Sequence, residues 1–451
     1  MESDRKIIIA GDAEMTAELL AECIERHKKM QGRYKRLHEM YSGKHPILVQ
    51  RNKEPFKPDN RLVVNFAKYI VDTINGYFMG VPVKTTHDDE TIAEQIEFIQ
   101  QYNNQDDVNA ELSKLCSIFG HAYELLFVDE EAQVGVTFVD PRQAFVVYDD
   151  SIVSRPLFGV RYFKNTENKI EGTYSDAFHI HYFIETDDGY VVTETVPHFF
   201  DGVPLIEYVE NEERMGAFEQ VETLVNAYNK AISEKANDVD YYADAYLKVL
   251  GAELEDKTLT TLRDNRIINM SGMDSDKIVV EFLAKPEADT TQENLINRIE
   301  RLIYQMSMVA NINDENFGTS SGIAMRYKLQ SMSNMANVKE RKFTAGMNRR
   351  WRMIMSLPNI HVDADAWMGL NYQFTRNLPA NILEEAQVAG QLSGIVSEQT
   401  QLKVLSIVDN VKEEMDRKEE EAESRALPYG FEESHGTQEE EESLMDEDAD
   451  A

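Results

Sequence analysis

Thr290-Thr291-Gln292-Glu293-Asn294-Leu295-Ile296-Asn297-Arg298-Ile299-Glu300-Arg301-Leu302-Ile303-Tyr304-Gln305-Met306-Ser307-Met308-Val309, continued as far as Leu357, is the run that decides the fold. Leu295, Ile296, Ile299, Leu302, Ile303, Met306 and Val309 recur at short helical intervals and so share one face of a helix. Thr290 with Glu293 three residues on, just after Pro286, is a capping-box pattern that predicts the helix start. Asn311 to Gly322 is polar and glycine-containing and predicts a loop. No proline then interrupts the chain until Pro358, and Met325, Leu329, Met332, Ala336, Phe343, Met347 and Ile354 sit three, four or seven apart. The expectation is a second helix of about 35 residues, roughly 50 Å long, which would cross a whole domain.

Charge sets this second helix apart. The chain carries a formal −35, yet Thr319 to Leu357 holds Arg326, Lys328, Lys339, Arg341, Lys342, Arg349, Arg350 and Arg352 against one acid, Glu340, a net of +7. Two readings stay open. The basic helix lies against acidic neighbours, its own or another subunit's, or it faces a polyanion.

At 451 residues the chain has room for about three domains. Its 42% hydrophobic and 9% aromatic residues suffice for buried cores. The apolar run at Ile7-Ile8-Ile9-Ala10 is too short for a signal peptide, and no window approaches the roughly 18 apolar residues of a membrane span. Cys23 and Cys116 are the only cysteines, so no disulfide framework is expected; both read as small core residues of a protein kept in a reducing cytosol. Glu413 to Ala451 holds 17 acids and three bases, a net of −14, which leaves −21 to the body. Such a chain repels nucleic acid unless its bases are concentrated where they matter.

Taken in order, residues 14–41 predict an amphipathic helix, residues 61–79 a largely helical stretch, and residues 90–119 helix again. From Ala122 to about Val196, β-branched and aromatic runs at 123–128, 134–139, 144–148, 157–163, 178–184 and 190–195 predict a mostly antiparallel β-region. His179 and His181 alternate on one run and could share a face as metal ligands, but no third ligand is visible, so a solvated strand face is expected. Residues 218–246 predict another helix. Residues 247–289 predict a compact insert at the tip of a helical hairpin, with a helix near 257–263 and strands near 266–270 and 278–283. A strand near 370–375 precedes helices at 381–392 and 398–424, the second capped by Ser397. From Leu427 the composition predicts disorder.

Nothing here spells an enzyme. The sequence lacks a phosphate-binding glycine motif, a His-Glu-x-x-His, a Cys-x-x-Cys and a Gly-x-Ser-x-Gly. The acid pairs Asp88/Asp89, Asp106/Asp107 and Asp149/Asp150 are adjacent in expected turns, whereas carboxylates that share a metal usually converge from separate elements.

Five ordered stretches carry a resemblance. They are Tyr41-Ser42-Gly43-Lys44-His45-Pro46-Ile47 with Asn60–Asn65 and Gly76–Val83; Gly120–Glu124 with Val139-Asp140-Pro141-Arg142; Gly202–Tyr208 leading to Ala231-Ile232-Ser233; Phe317–Ala324; and Leu392–Thr400 with Asp409 and Glu413-Glu414. Together they resemble the portal proteins of tailed double-stranded-DNA bacteriophages, in particular the portal family common in siphophages of Gram-positive hosts. The resemblance covers residues 30–425.

It implies an α+β, predominantly helical fold of wing, stem, clip and crown, assembled as a ring around an axial channel. Residues 1–216 would be wing, 217–246 and 290–308 the stem helices, 247–289 the clip, and 309–321 the tunnel loop. Residues 322–357 would be the long basic wing helix, 358–376 the wing return strand, 377–425 the crown, and 426–451 the acidic tail. Asn311, Asn313, Asp314, Asn316, Phe317, Gly318, Thr319 and Ser320 would face the DNA channel. Lys230, Lys235, Arg298 and Arg301 would be phosphate-facing or intersubunit stem bases. The implied partners are eleven further copies in a dodecamer, double-stranded DNA, the terminase large subunit, a head-completion or adaptor protein, and the major capsid and scaffolding proteins. No cofactor, metal or membrane is implied. The implied place is the virion, with the host cytoplasm during assembly. A non-portal ring-forming structural or scaffold protein of the virion is the alternative.

Overall fold

Thr16 begins the first helix by accepting a hydrogen bond from the Leu19 amide on its side chain, and α1 (Ala17–Tyr41) then runs for 25 residues. Its buried positions follow the helical period and serve two cores. Leu20, Cys23 and Ile24 join a β-sheet core, while Tyr34, Leu37 and Met40 join a helical one. The computed structural model describes residues 5–54, 57–243, 247–250, 279–282, 289–311, 322–360, 362–377, 382–405, 407–408 and 410–426. The chain divides into two units, Met1–Asn377 and Leu378–Ala451.

In the first unit, β1 (Ile7–Ile9) precedes α1, and α2 (Phe66–Met79) follows it, capped by the Asn65 side chain. A short β2 (Lys84–Thr86) leads to α3 (Glu90–Tyr102), capped by Asp89, and α4 (Gln105–Phe119). The single helical stretch expected over 90–119 is thus two helices. Asn104 sits in a left-handed conformation at φ 47° and breaks them apart, as asparagine tolerates and most residues do not. Asp106 and Asp107, expected in a turn, lie instead in the first turn of α4, where carboxylates favour the helix dipole. At its other end α4 closes on Gly120, φ 89°, where a Cβ would meet the Arg214 carbonyl oxygen at 2.0 Å.

The β-region holds β3 (His121–Val128), β4 (Val134–Val139), β5 (Ala144–Asp149), β6 (Pro156–Lys164), β7 (Ile170–Ser175), β8 (His179–Thr186), β9 (Gly189–Pro197) and β10 (Leu205–Val209). One sheet has the order β1-β5-β6-β7-β8-β9 and a second β10-β3-β4. Every described pairing within them is antiparallel except β1 with β5. Strand β7 escaped the sequence reading because Gly172 interrupts its apolar pattern. The glycine is needed there, since a Cβ would lie 2.1 Å from the Arg161 carbonyl oxygen on β6.

After β10, α5 (Glu222–Ala243) leads to β11 (Leu247–Leu250), which pairs antiparallel with β12 (Val279–Phe282) before α6 (Asp289–Ser307) returns. Strand β12 falls in the expected 278–283 run; β11 was not foreseen, and the expected helix 257–263 and strand 266–270 lie outside the described residues. Thr290 lies inside the first turn of α6 rather than at its cap, and Lys235 engages the Glu293 carboxylate. Helix α6 stops at Ser307, short of the expected stripe's end, as Met308 takes φ 59°. Helix α7 (Gly322–Met355) is 34 residues long, and β13 (Asn371–Gln373) pairs with β2.

The second unit contains α8 (Ile382–Leu392), α9 (Glu398–Leu402) and α10 (Val411–Ala426). Ser397 caps α9 by accepting from the Thr400 amide. The one helix expected over 398–424 is therefore two, joined by Lys418 reaching Glu398 and separated around 403–410. The expected disorder from Leu427 falls outside the described residues.

Candidate functional site: the basic helix and the helical hairpin

Helix α7 is buried on the face its spacing predicts: Leu329, Met332, Ala336, Phe343, Met347 and Ile354 are all in the core, joined by Trp351. It can lie directly on β10 because Gly346 has no side chain. A Cβ there would meet the Tyr208 ring at 2.5 Å.

The cations of α7 have distinct fates. Arg350 is wholly buried, and its Nε and Nη2 donate to the Glu124 carboxylate on β3 at 2.9 and 2.6 Å, with Nη2 also donating to Asn109 at 2.8 Å. Burial alone would lower the Arg350 pKa, but the Glu124 charge reverses that and raises it. The Lys339 ammonium, also buried, donates to Glu210 and Ser117 at 2.6 Å and to the Ser113 carbonyl at 2.9 Å. Nearer the surface, Lys342 pairs with Glu212, and Arg352 with Asp201 at 3.0 Å. Arg341 is exposed, Lys328 is exposed but engaged, and the Arg326 side chain lies outside the described residues. Arg349 has no carboxylate partner among the described residues, and its buried Nε makes no hydrogen bond.

Beside this helix, Glu207 on β10 accepts from the Arg214 guanidinium at 2.8 and 2.7 Å and from His121 Nδ1 at 2.7 Å. Burial opposes its ionisation, but Arg214 more than compensates and holds the carboxyl far below its usual range. The Tyr34 hydroxyl then donates to His121 Nε2 at 2.8 Å. Burial lowers the His121 pKa, in keeping with this neutral tautomer. These buried acids were missed as partners. The available signal was a lone Glu124 inside the apolar run Tyr123–Phe127, because an acid inside a core strand needs a counter-charge.

The α5–α6 hairpin carries the other expected residues. Lys235 bridges the two helices to Glu293, while Lys230 on α5 and Arg298 and Arg301 on α6 are exposed. Three polar residues of α5, one turn apart, hold an extended strand of chain. Asn237 accepts from the Asn60 amide at 2.6 Å, Ser233 from Leu62 at 2.9 Å and Asn229 from Val64 at 2.8 Å. The four-residue period of a helix face here matches the two-residue period of an extended segment, a pairing the sequence displays but does not announce. Of the expected channel residues, Asn311 is half-buried and engaged. Asn313, Asp314, Asn316, Phe317, Gly318, Thr319 and Ser320 lie outside the described residues. The flank at Ala310 is fixed by Met332 Sδ on α7 and by the Tyr69 hydroxyl.

His179 and His181 do acquire a third neighbour. Asp176, in the turn before β8, brings its carboxylate within 4.8 Å of both imidazoles, and its Oδ2 meets His181 Nε2 at 3.1 Å. The acid was overlooked because it lies outside the strand run. Among the described residues no helix is long and apolar enough to cross a membrane.

Residues 20–426 match the family described as "Phage portal protein, SPP1 Gp6-like". The portal protein of Bacillus phage SPP1 is 27% identical over 400 residues, covering 83% of this chain and 78% of that one. The portal protein of Clostridium phage phiCD119 is 22% identical over 400 residues, covering 81% and 86%. Among solved structures, a chain from the neck of an empty GTA particle covers 83% of this chain and 93% of its own length at 10% identity. Its TM-score of 0.44 is too low to carry an argument. With the family match running from α1 through the last described residue of α10, the chain belongs to the phage portal proteins of the SPP1 Gp6-like family.

Proposed function

We propose that this chain is the subunit of a dodecameric ring at one capsid vertex, through whose axial channel double-stranded DNA is packaged and later ejected. The observation that carries the reading is the α5–α6 hairpin. It is two packed helices with a small antiparallel sheet between them at one end and the polar 309–321 segment at the other. In this reading residues 217–246 and 290–308 are the stem, and 247–289 the clip that docks the terminase large subunit and then a head-completion protein. Residues 309–321 are the tunnel loop, 322–357 and 358–376 complete the 1–216 wing against capsid and scaffolding proteins, and 377–425 form the crown. The role is structural, in the virion, with assembly in the host cytoplasm.

The charge balance supports a conduit. A channel that passes any sequence should bind none of it well, because lysine and arginine linings gain affinity by counterion release and so add friction. Four of the eight α7 cations sit on carboxylates of their own subunit, which takes half of the basic helix's charge out of reach of a passing polyanion. Exposed Lys230, Arg298 and Arg301 serve as sparse phosphate contacts or as intersubunit pairs.

The test is a complementation assay on loop variants Asn313→Ala, Asp314→Ala, Asn316→Ala and Phe317→Ala. The expectation is normal ring yield with less packaged or retained DNA, most severely for Phe317→Ala, which removes the one aromatic side chain of the 309–321 stretch. Normal packaging in all four, or failure only through lost rings, rejects the loop as the DNA-contacting element.

A further inference from the structure

On α7, Lys339, Lys342, Arg350 and Arg352 each meet a carboxylate within the subunit, and Arg349 meets none among the described residues. Its side chain lines an open cavity of about 500 Å³ together with Arg155, Arg352, Asp201, Val153 and Trp367. Three guanidiniums therefore share the cavity with one carboxylate, which Arg352 already engages. Arg349 Nε is buried without a hydrogen-bond partner. Burial depresses the Arg349 pKa and Arg352 adds to the effect, while Tyr148 and Glu207 offset it only in part. A lysine so placed could shed its proton, but a guanidinium stays charged at any working pH. What its own subunit leaves unmet falls to solvent in the open cavity or to a group brought from outside.

The rim says what kind of molecule meets it. The β5–β6 turn leaves Ile152 fully exposed and Val153 73% exposed beside the cavity. Adjacent bare aliphatic side chains suit a protein surface and offer nothing to a phosphate backbone. Carboxylates are abundant on the chain itself, with 81 acids against 46 bases.

We propose that the Arg349 cavity receives the carboxylate of an acidic side chain from a second copy of this chain, with Ile152 and Val153 forming the apolar rim of that contact. This rests on the ring reading above. It also gives that ring a device for closing subunits of high like charge, each supplying an acid to its neighbour's arginine.

The experiment compares wild type, Arg349→Gln and Arg155→Gln by native mass spectrometry over a protein concentration series, with tryptophan-fluorescence melting of the unassembled chain. Arg349→Gln removes a charge that burial disfavours and that has no ion-pair partner among the described residues, so the unassembled chain should melt at the same temperature or higher. Its half-assembly concentration should nevertheless rise about tenfold or more. That opposition is one that a merely structural role does not produce. Arg155→Gln should shift assembly in the same direction by a smaller factor. Wild-type rings matched by equally stable Arg349→Gln rings overturn the cavity as an interface and leave the ring reading standing. Inorganic phosphate or citrate that raises the melting temperature of wild type but not of Arg349→Gln, with assembly unchanged, makes the cavity a small-anion site and overturns the second-copy assignment. Normal Arg349→Gln rings that retain less DNA assign it to a phosphate backbone and overturn it likewise. A wild-type chain that never assembles removes both readings.

Discussion

Replacing Glu124 with alanine should be among the most damaging single changes in the first unit. Its carboxylate is fully buried and accepts two hydrogen bonds from Arg350 and one, at 3.0 Å, from the Tyr208 hydroxyl. Removal leaves a guanidinium that cannot discharge, retaining only Asn109 at 2.8 Å and the Tyr208 ring 5.7 Å away. Breaking a buried pair from one side costs about 3–5 kcal/mol. An exposed pair such as Arg352–Asp201 contributes about 0–1 kcal/mol, so Asp201→Ala serves as the control. Both tryptophans, Trp351 and Trp367, lie in the first unit, and Trp351 neighbours Arg350 on α7. Urea unfolding followed by tryptophan fluorescence therefore reads the relevant unit directly. The double variant Glu124→Leu with Arg350→Met should recover most of the loss, because apolar groups of similar volume often replace a buried pair without penalty. A loss below about 1 kcal/mol for Glu124→Ala, or a double variant no better than the single, would refute the view that α7 is locked to β3 by a dry ion pair.

His27 supplies a pH prediction. It is buried between the Tyr162 hydroxyl and the Pro141 carbonyl, each at 2.8 Å, and burial pushes its pKa down to about 4. Between pH 6.5 and 4 the unfolded chain binds a proton there that the folded chain refuses, so stability is lost as pH falls through that window, by up to roughly 3 kcal/mol. His27→Gln should flatten the fall in urea midpoint between pH 7 and 5, and an unchanged slope would assign the acid sensitivity elsewhere. Gly346→Ala sets helix propensity against packing. Alanine gains about 1 kcal/mol in a helix, but its Cβ would press on a Tyr208 ring that Glu124 and Phe343 hold in place. Overpacking of about 1–3 kcal/mol should win, lowering the melting temperature; a rise would show that the ring can yield.

What could be read in advance was whatever depends on local period. The faces of α1 and α7, the cap at Ser397 and most strands of the β-region follow from spacings of three, four or two. What depends on distant partners could not be read. Arg349 and Arg350 are adjacent and identical in type, yet Arg350 pairs with Glu124 from β3 and Arg349 has no carboxylate partner among the described residues. Asn104 looked like a helix residue until its backbone turned left-handed, and β7 hid behind a glycine that only its neighbour β6 explains. Asp176 joined the two histidines across a turn, outside the alternation that had singled them out. The polar ladder Asn229, Ser233 and Asn237 was on display at four-residue spacing, but its meaning lay in an extended segment more than 160 positions away.

The ring itself is tested most directly by imaging the purified full-length chain in negative stain across a range of protein and salt concentrations. The account predicts closed rings with an axial hole, forming more readily at moderate salt, where repulsion among chains of −35 is screened. Single particles of monomer size under every condition, with no rings in any field, would contradict it.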